Sequence, residues 1–299
     1  KKESIEKIKY ETLLSILNKI LDKNNKNKFI KKIDSGNLIN EFLQNIIIEN
    51  EIITNEKYIA DIKINFDKKK IMNFLRNNNI NYSDTFSDQF LILSSYNFEF
   101  INLGIQKNNL FYKSFFKNKS FFKTILLNYD IPSISANDRY ILSYKKLVNE
   151  DKEAFVQILE KYKKKQALYI KIEKKNYNIF LIEVIKFEIK NKKFEKKINF
   201  QIDVSNIKKE ESIEKIIMEE ISLNLENWWR NEVLIDNNKL NQIECSIFSK
   251  NFDNLNFIKL NIKNLSQVKD IKIKKIKLNN NTENILYYGD ISILIRGLL

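Results

Sequence analysis

In 299 residues this chain has no histidine, one cysteine (Cys245), one proline (Pro132) and four glycines (Gly36, Gly104, Gly289 and Gly297). That shortage constrains it more than any motif it contains. Imidazole bases, thiolate nucleophiles and backbone loops that close around phosphate all depend on these residue types. A Ser-His-Asp triad, a His-bearing zinc site, a CxxC redox pair, a GxGxxG turn and a P-loop therefore cannot be assembled. A lone cysteine also excludes an internal disulfide, without fixing the compartment. The order of hydrophobic patterns is what remains to be read.

The first segment, to residue 97, begins with Ile5, Ile8, Leu13, Leu17, Ile20 and Leu21 at helical spacing, and the run 24–27 ends that helix. Ser35-Gly36 introduces a short helix through Phe42, and an apolar strand follows over 46–54. From Tyr58 to Phe66, Ala60, Ile62, Ile64 and Phe66 alternate with Asp61, Lys63 and Asn65, the period of a half-buried strand. Asp67 can cap a helix that buries Ile71, Phe74 and Leu75, and a strand over 90–96 completes a small α+β domain.

In the second segment, 98–232, an aromatic helix over 108–118 precedes a strand over 124–129. Asn149-Glu150-Asp151 opens a helix carrying Phe155, Ile158, Leu159 and Tyr162, whose lysine-rich end suits the helix dipole. Three strands follow, marked by Leu168, Ile170 and Ile172, by the apolar run 178–187, which should be central, and by Ile198, Phe200, Ile202 and Val204. An amphipathic helix from Ile213 to Trp228 closes the segment.

The third segment, 233–299, reads as βαββα. Ile271 and Ile273 share one strand phase and Ile276 and Leu278 the other, so a β-bulge at Lys274-Lys275 is expected to let both pairs share a core. A final strand is missing after the helix 291–296, which gives the expectation of a truncated C-terminus. The expected fold is α+β, with three small domains (1–97, 98–232 and 233–299) whose mixed or antiparallel sheets are each packed by helices. Their expected cores are Ile62, Ile64 and Phe66; Ile170, Ile182 and Phe200; and Ile258, Ile262 and Ile273.

Isoleucine, lysine and asparagine number 50, 48 and 43, while arginine and alanine occur four times each, the signature of an A/T-rich genome. The net charge of +14 is therefore read as compositional drift plus solubility. The 36 aromatic residues and 43% hydrophobic content suffice for real cores. No uncharged apolar run reaches the roughly 18 residues of a membrane span.

The layout resembles the bacterial protein family called domain of unknown function 2066. The resemblance is carried by Tyr58-Ile-Ala-Asp-Ile-Lys-Ile-Asn-Phe66-Asp67 with Ile71 and Leu75, by Asn149-Glu-Asp-Lys-Glu-Ala-Phe-Val-Gln-Ile-Leu-Glu-Lys-Tyr162 running into Ala167-Leu-Tyr-Ile170, and by Leu286-Tyr-Tyr-Gly289-Asp290 with Leu294 and Leu298. These pieces span nearly the whole chain. The resemblance implies an exported protein, periplasmic or envelope-associated, with protein partners in the envelope and a signal peptide ahead of Lys1. It transfers no catalytic residue.

Candidate sites are few. Trp228 and Trp229, the two tryptophans, sit beside Arg230 at a helix end, where interaction or interdomain packing is expected, packing being favoured. Arg76, Arg139, Arg230 and Arg296 survive in a chain that replaces arginine by lysine, which suggests a need for the planar fork, more readily for an internal carboxylate than for a ligand. Asp84 and Asp88 read as turn or cap residues rather than cation ligands, Lys161 to Lys165 as a helix terminus, and Glu210-Glu211 and Glu219-Glu220 as helix-surface charge. No catalytic, cofactor or metal residue is assigned. The expected function is a non-enzymatic structural or accessory protein of the envelope. One alternative is a nucleic-acid-binding protein, whose mark would be lysines converging among exposed aromatics. A second is an enzyme using Asp, Glu, Lys or Tyr, whose mark would be a deep pocket of titratable groups.

Overall fold

The computed structural model describes residues 2–33, 38–54, 58–117, 126–205, 212–249, 251–277 and 280–298. In chain order, helices α1 (Lys2–Ile20), α2 (Lys23–Ile33) and α3 (Leu38–Phe42) lead into strands β1 (Leu43–Ile53) and β2 (Tyr58–Phe66) and helix α4 (Lys68–Asn77). Next come β3 (Phe90–Phe98), β4 (Ile101–Leu103), α5 (Leu110–Lys117), β5 (Tyr129–Asp130), α6 (Ala136–Ile141), α7 (Tyr144–Val148) and α8 (Lys152–Lys161). Strands β6 (Gln166–Lys174), β7 (Ile179–Glu188) and β8 (Lys193–Asp203) precede α9 (Ile213–Glu232). The chain continues through β9 (Leu240–Phe248), α10 (Phe252–Asn264), β10 (Val268–Lys275), β11 (Asn280–Tyr288) and α11 (Ile291–Leu298). The fold is α+β, with antiparallel and mixed sheets.

Two compact units result, one from residues 1–85 and 230–299 and the other from 86–229. The first and last segments, expected as separate domains, thus share one unit, and its boundaries fall at 85/86 and 229/230 rather than 97/98 and 232/233. Hydrogen bonds between the two segments explain the joining. Ile235 donates its backbone N–H to the Tyr82 carbonyl at 2.8 Å, and the Asn237 amide reaches the Ile80 carbonyl at 2.6 Å. The Tyr82 hydroxyl donates to the Ser266 carbonyl at 2.9 Å. Buried backbone groups must find partners, and here each segment supplies them to the other.

In this unit β1 and β2 form an antiparallel ribbon, with Ile46 opposite Ile64 and Ile48 opposite Ile62. The alternation expected of β2 is present, with Ile62, Ile64 and Phe66 half-buried and Asp61, Lys63 and Asn65 exposed. Helix α2 departs from the expected break at 24–27. Asp22 accepts the Asn25 backbone N–H at 2.8 Å, and Asn25, Phe29 and Ile33 fall on one buried face. A capping carboxylate thus turns an asparagine cluster into a helix start.

The C-terminal sheet of this unit has the order β10-β11-β9, all antiparallel. Its core joins Ile247, Leu255, Ile262, Val268, Ile285, Tyr287 and Leu294. The register of β10 shifts between the pairs Ile273↔Glu283 and Lys275↔Thr282, leaving Lys274 as the extra residue, so the bulge is present. Its expected purpose is not. Ile273 is 55% and Ile276 73% exposed, because β10 ends at Lys275, and Leu278 lies outside the described residues.

The second unit holds a mixed sheet of order β4-β3-β6-β7-β8, with β5 also paired to β3. Strand β3, expected in the first domain, belongs here because it runs parallel to β6 from Phe90↔Gln166 to Asn97↔Glu173. Its run Phe90, Leu91, Ile92 and Leu93 is fully buried, as a strand covered on both faces requires. Strand β7 is central as expected, and the row Tyr96–Ile172–Ile182–Phe200 crosses four strands. Phe155 of α8 packs edge-on against Tyr169 and Phe194, with ring centroids 5.8 and 4.8 Å away. Among the described residues, no helix is long and apolar enough to cross a membrane.

Candidate functional site

Helix α4 is fixed at its start by Asp67, whose carboxylate accepts the Lys69 and Lys70 backbone N–H groups at 2.8 and 3.2 Å. Ile71, Met72 and Leu75 are buried, which leaves Lys68, Lys69, Asn73 and Arg76 along the opposite side. Facing them, within the same unit, is the connection from α10 to β10. Together they line a cleft of about 380 Å³ formed by Lys68, Lys69, Met72, Asn73 and Arg76 from one side and by 263–266, Val268 and Lys269 from the other. Five cations converge there, and none of the described lining residues is a carboxylate.

The walls are tied together behind the cleft. Asp84 accepts the Ser266 hydroxyl at 2.7 Å and pairs with the Lys68 ammonium at 3.0 Å. Tyr82 donates to the Ser266 carbonyl and accepts from Arg76 Nη2 at 3.4 Å. Burial pushes the Tyr82 hydroxyl pKa up to about 12, against the Arg76 guanidinium, which favours the phenolate. The phenol therefore stays neutral at pH 7 and accepts from Arg76 without adding a negative charge.

Arg76 is the centre of the arrangement. Its guanidinium carbon lies 5.1 Å from the Tyr288 ring centroid. Its hydrogen bonds to Tyr82 and to Asn73, at 3.4 and 3.5 Å, are long, and its buried Nε has no hydrogen-bond partner among the described residues. The internal carboxylate expected for this arginine is absent among them. A planar guanidinium over an aromatic ring, flanked by lysines and bonded only through long hydrogen bonds, suits a tetrahedral oxyanion far better than it suits a cation or a neutral ligand.

The other sequence candidates lie elsewhere. Trp228 and Trp229 are buried at the end of α9, where their rings lie 6.2 and 6.1 Å from that of Phe90. Arg230 donates from Nη2 to the Asn18 carbonyl at 2.7 Å. None of the three lines the cleft. Asp88 accepts the Gln166 side-chain amide at 2.9 Å. Lys161 binds Asp138 at 2.6 Å, and Lys164 binds Asp130 and Gln89. Arg139 is exposed on α6 and Arg296 half-buried on α11. Glu219 lies 3.8 Å from Lys215, whereas Glu210 and Glu211 lie outside the described residues. No group of three metal-binding side chains occurs among the described residues.

No family model, curated protein or solved structure matches this chain.

Proposed function

We propose that this chain is a non-enzymatic binding protein that holds a compact phosphorylated molecule in the cleft between α4 and the α10–β10 connection. The observation that carries the reading is Arg76, held over the Tyr288 ring in a cleft whose other charged lining residues are four lysines. A volume of about 380 Å³ accommodates a small ligand and falls in the range of roughly 300–1,000 Å³ usual for such sites. A polymeric nucleic acid is less well served, because none of the described lining residues is an aromatic that could stack a base. None of the described lining residues is a carboxylate, which supports recognition over carboxylate acid–base chemistry. An exported role follows from the family resemblance alone, and fractionation of cells making the full-length protein tests that part.

The binding part is tested by comparing thermal melts in inorganic phosphate, pyrophosphate and nucleoside triphosphates with the fluorescence anisotropy of a labelled single-stranded oligonucleotide. The reading expects stabilisation by the phosphorylated molecules. It expects the oligonucleotide to bind only at the non-specific level of about 10⁻⁴–10⁻⁶ M, falling steeply with salt. Nanomolar, salt-resistant oligonucleotide binding would replace it with the nucleic-acid alternative.

A further inference from the structure

A second cavity in the same unit differs in holding a buried carboxylate, Glu283, in a lining that also includes Lys259 and Lys277. Along β11 the residues Asn281, Glu283, Ile285 and Tyr287 alternate onto the buried face, so a carboxylate and an amide occupy positions that the pattern reserves for apolar side chains. Glu283 is 0% and Asn281 6% exposed. The Lys259 ammonium of α10 sits 2.9 Å from Glu283 Oε1. Glu283 Oε2 and Asn281 Oδ1 are buried without any hydrogen-bond partner among the described residues.

These groups line a cavity of about 440 Å³, with Phe252, Ile273, Ile276 and Lys277 also contributing to its wall. Phe252 is 72% exposed, like its neighbours Ile273 and Ile276, so large apolar side chains stand in water around a polar floor. The Lys274 bulge lies at this edge, where Ile273 pairs with Glu283. Bulges commonly re-aim side chains beside binding sites.

Unpaired buried acceptors call for a donor, and a charged donor satisfies a carboxylate oxygen best. Lys259 already shows that an alkylammonium fits against Glu283 Oε1. We infer that this cavity binds a small molecule carrying a protonated primary amine on an apolar body, with the amine on Glu283 Oε2 and Asn281 Oδ1 and the body against Phe252, Ile273 and Ile276. The ligand is distinct from the anion of the basic cleft, because a phosphate here would face Glu283. Lys259 competes for the same carboxylate, and it lowers affinity for the ligand rather than supporting it.

Calorimetry on the full chain with 2-phenylethylammonium chloride tests this, with neutral 2-phenylethanol as the isosteric control. The expected result is saturable binding of the amine with a Kd of about 1 mM or tighter. The alcohol and the Glu283→Gln variant should each bind about tenfold or more weakly. Lys259→Met should tighten amine binding, because it frees Glu283 Oε1 for the ligand. Circular dichroism melts verify folding. If Glu283→Gln fails to fold, the alcohol and Lys259→Met comparisons still decide. Equal binding of amine and alcohol, undetectable amine binding, or no tightening in Lys259→Met overturns the inference.

Discussion

Replacing Asp138 by asparagine gives a demanding test of how the second unit is held together. The carboxylate is fully buried, yet every oxygen is engaged. It takes the Ser135 backbone N–H at 2.7 Å, the Ser133 hydroxyl at 3.1 Å, the Lys161 ammonium at 2.6 Å and the Tyr162 hydroxyl at 2.9 Å. Burial alone would raise its pKa. The hydrogen bonds from Lys161, Ser135 and Tyr162 outweigh that and hold the carboxyl below the usual carboxylate range. Removing one partner of a buried ion pair costs about 3–5 kcal/mol, and the lower end applies here, because the Lys161 side chain is 29% exposed and can rehydrate. About 3 kcal/mol at pH 7 is expected for Asp138→Asn. The sign of the pH effect follows from the depressed pKa: the stabilisation is complete above the unfolded-state value of about 3.9 and is lost as pH falls through the folded-state value. Both tryptophans lie in residues 86–229, so urea unfolding followed by tryptophan fluorescence reports this unit. The gap between wild type and variant should shrink as pH drops below about 4, while the loss due to Glu183, also held low against burial by Lys196 and Lys171, persists in both. A variant as stable as the wild type at pH 7, or a gap that does not change with pH, would refute this reasoning.

Two further predictions concern packing. Ile182→Ala, at the buried centre of β7, should cost about 2–5 kcal/mol in the same fluorescence assay, and a loss below about 0.5 kcal/mol would contradict its central position. Deleting Lys274 should cost only about 1 kcal/mol or less in thermal melts, because Ile273 and Ile276 are already exposed and the ion pair with Glu244 is a surface one. A loss of about 3 kcal/mol or more would show that residues past the bulge are packed.

Much of the architecture was legible because it is local. The alternation over 58–66, the Asp67 and Asp151 helix starts and the central strand β7 are all written in neighbouring residues, whereas the bulge at Lys274 is present without the shared core that the phases of Ile273 and Ile276 suggest. The assignment of β3 was not legible, since its partner β6 lies some 75 residues onward and a parallel pairing leaves no local signal. The same physics hid the cleft. Arg76 stood out by its rarity, but nothing local says that Lys68 and Lys69 should meet Lys263 and Lys269, and 48 lysines gave no contrast. Glu283 had a readable signal in its phase with Ile285 and Tyr287, a polar residue on the core period of a strand.

The central claim is that Arg76 binds a phosphate group, and titration calorimetry with pyrophosphate on wild type, Arg76→Lys and Arg76→Gln tests it most directly. Lysine keeps the charge and removes the planar fork, whereas glutamine removes both. The account predicts affinity falling in the order wild type, Arg76→Lys, Arg76→Gln, with the first step about tenfold and the protein folded throughout. Equal affinity in all three, or no pyrophosphate binding to the wild type, would contradict it.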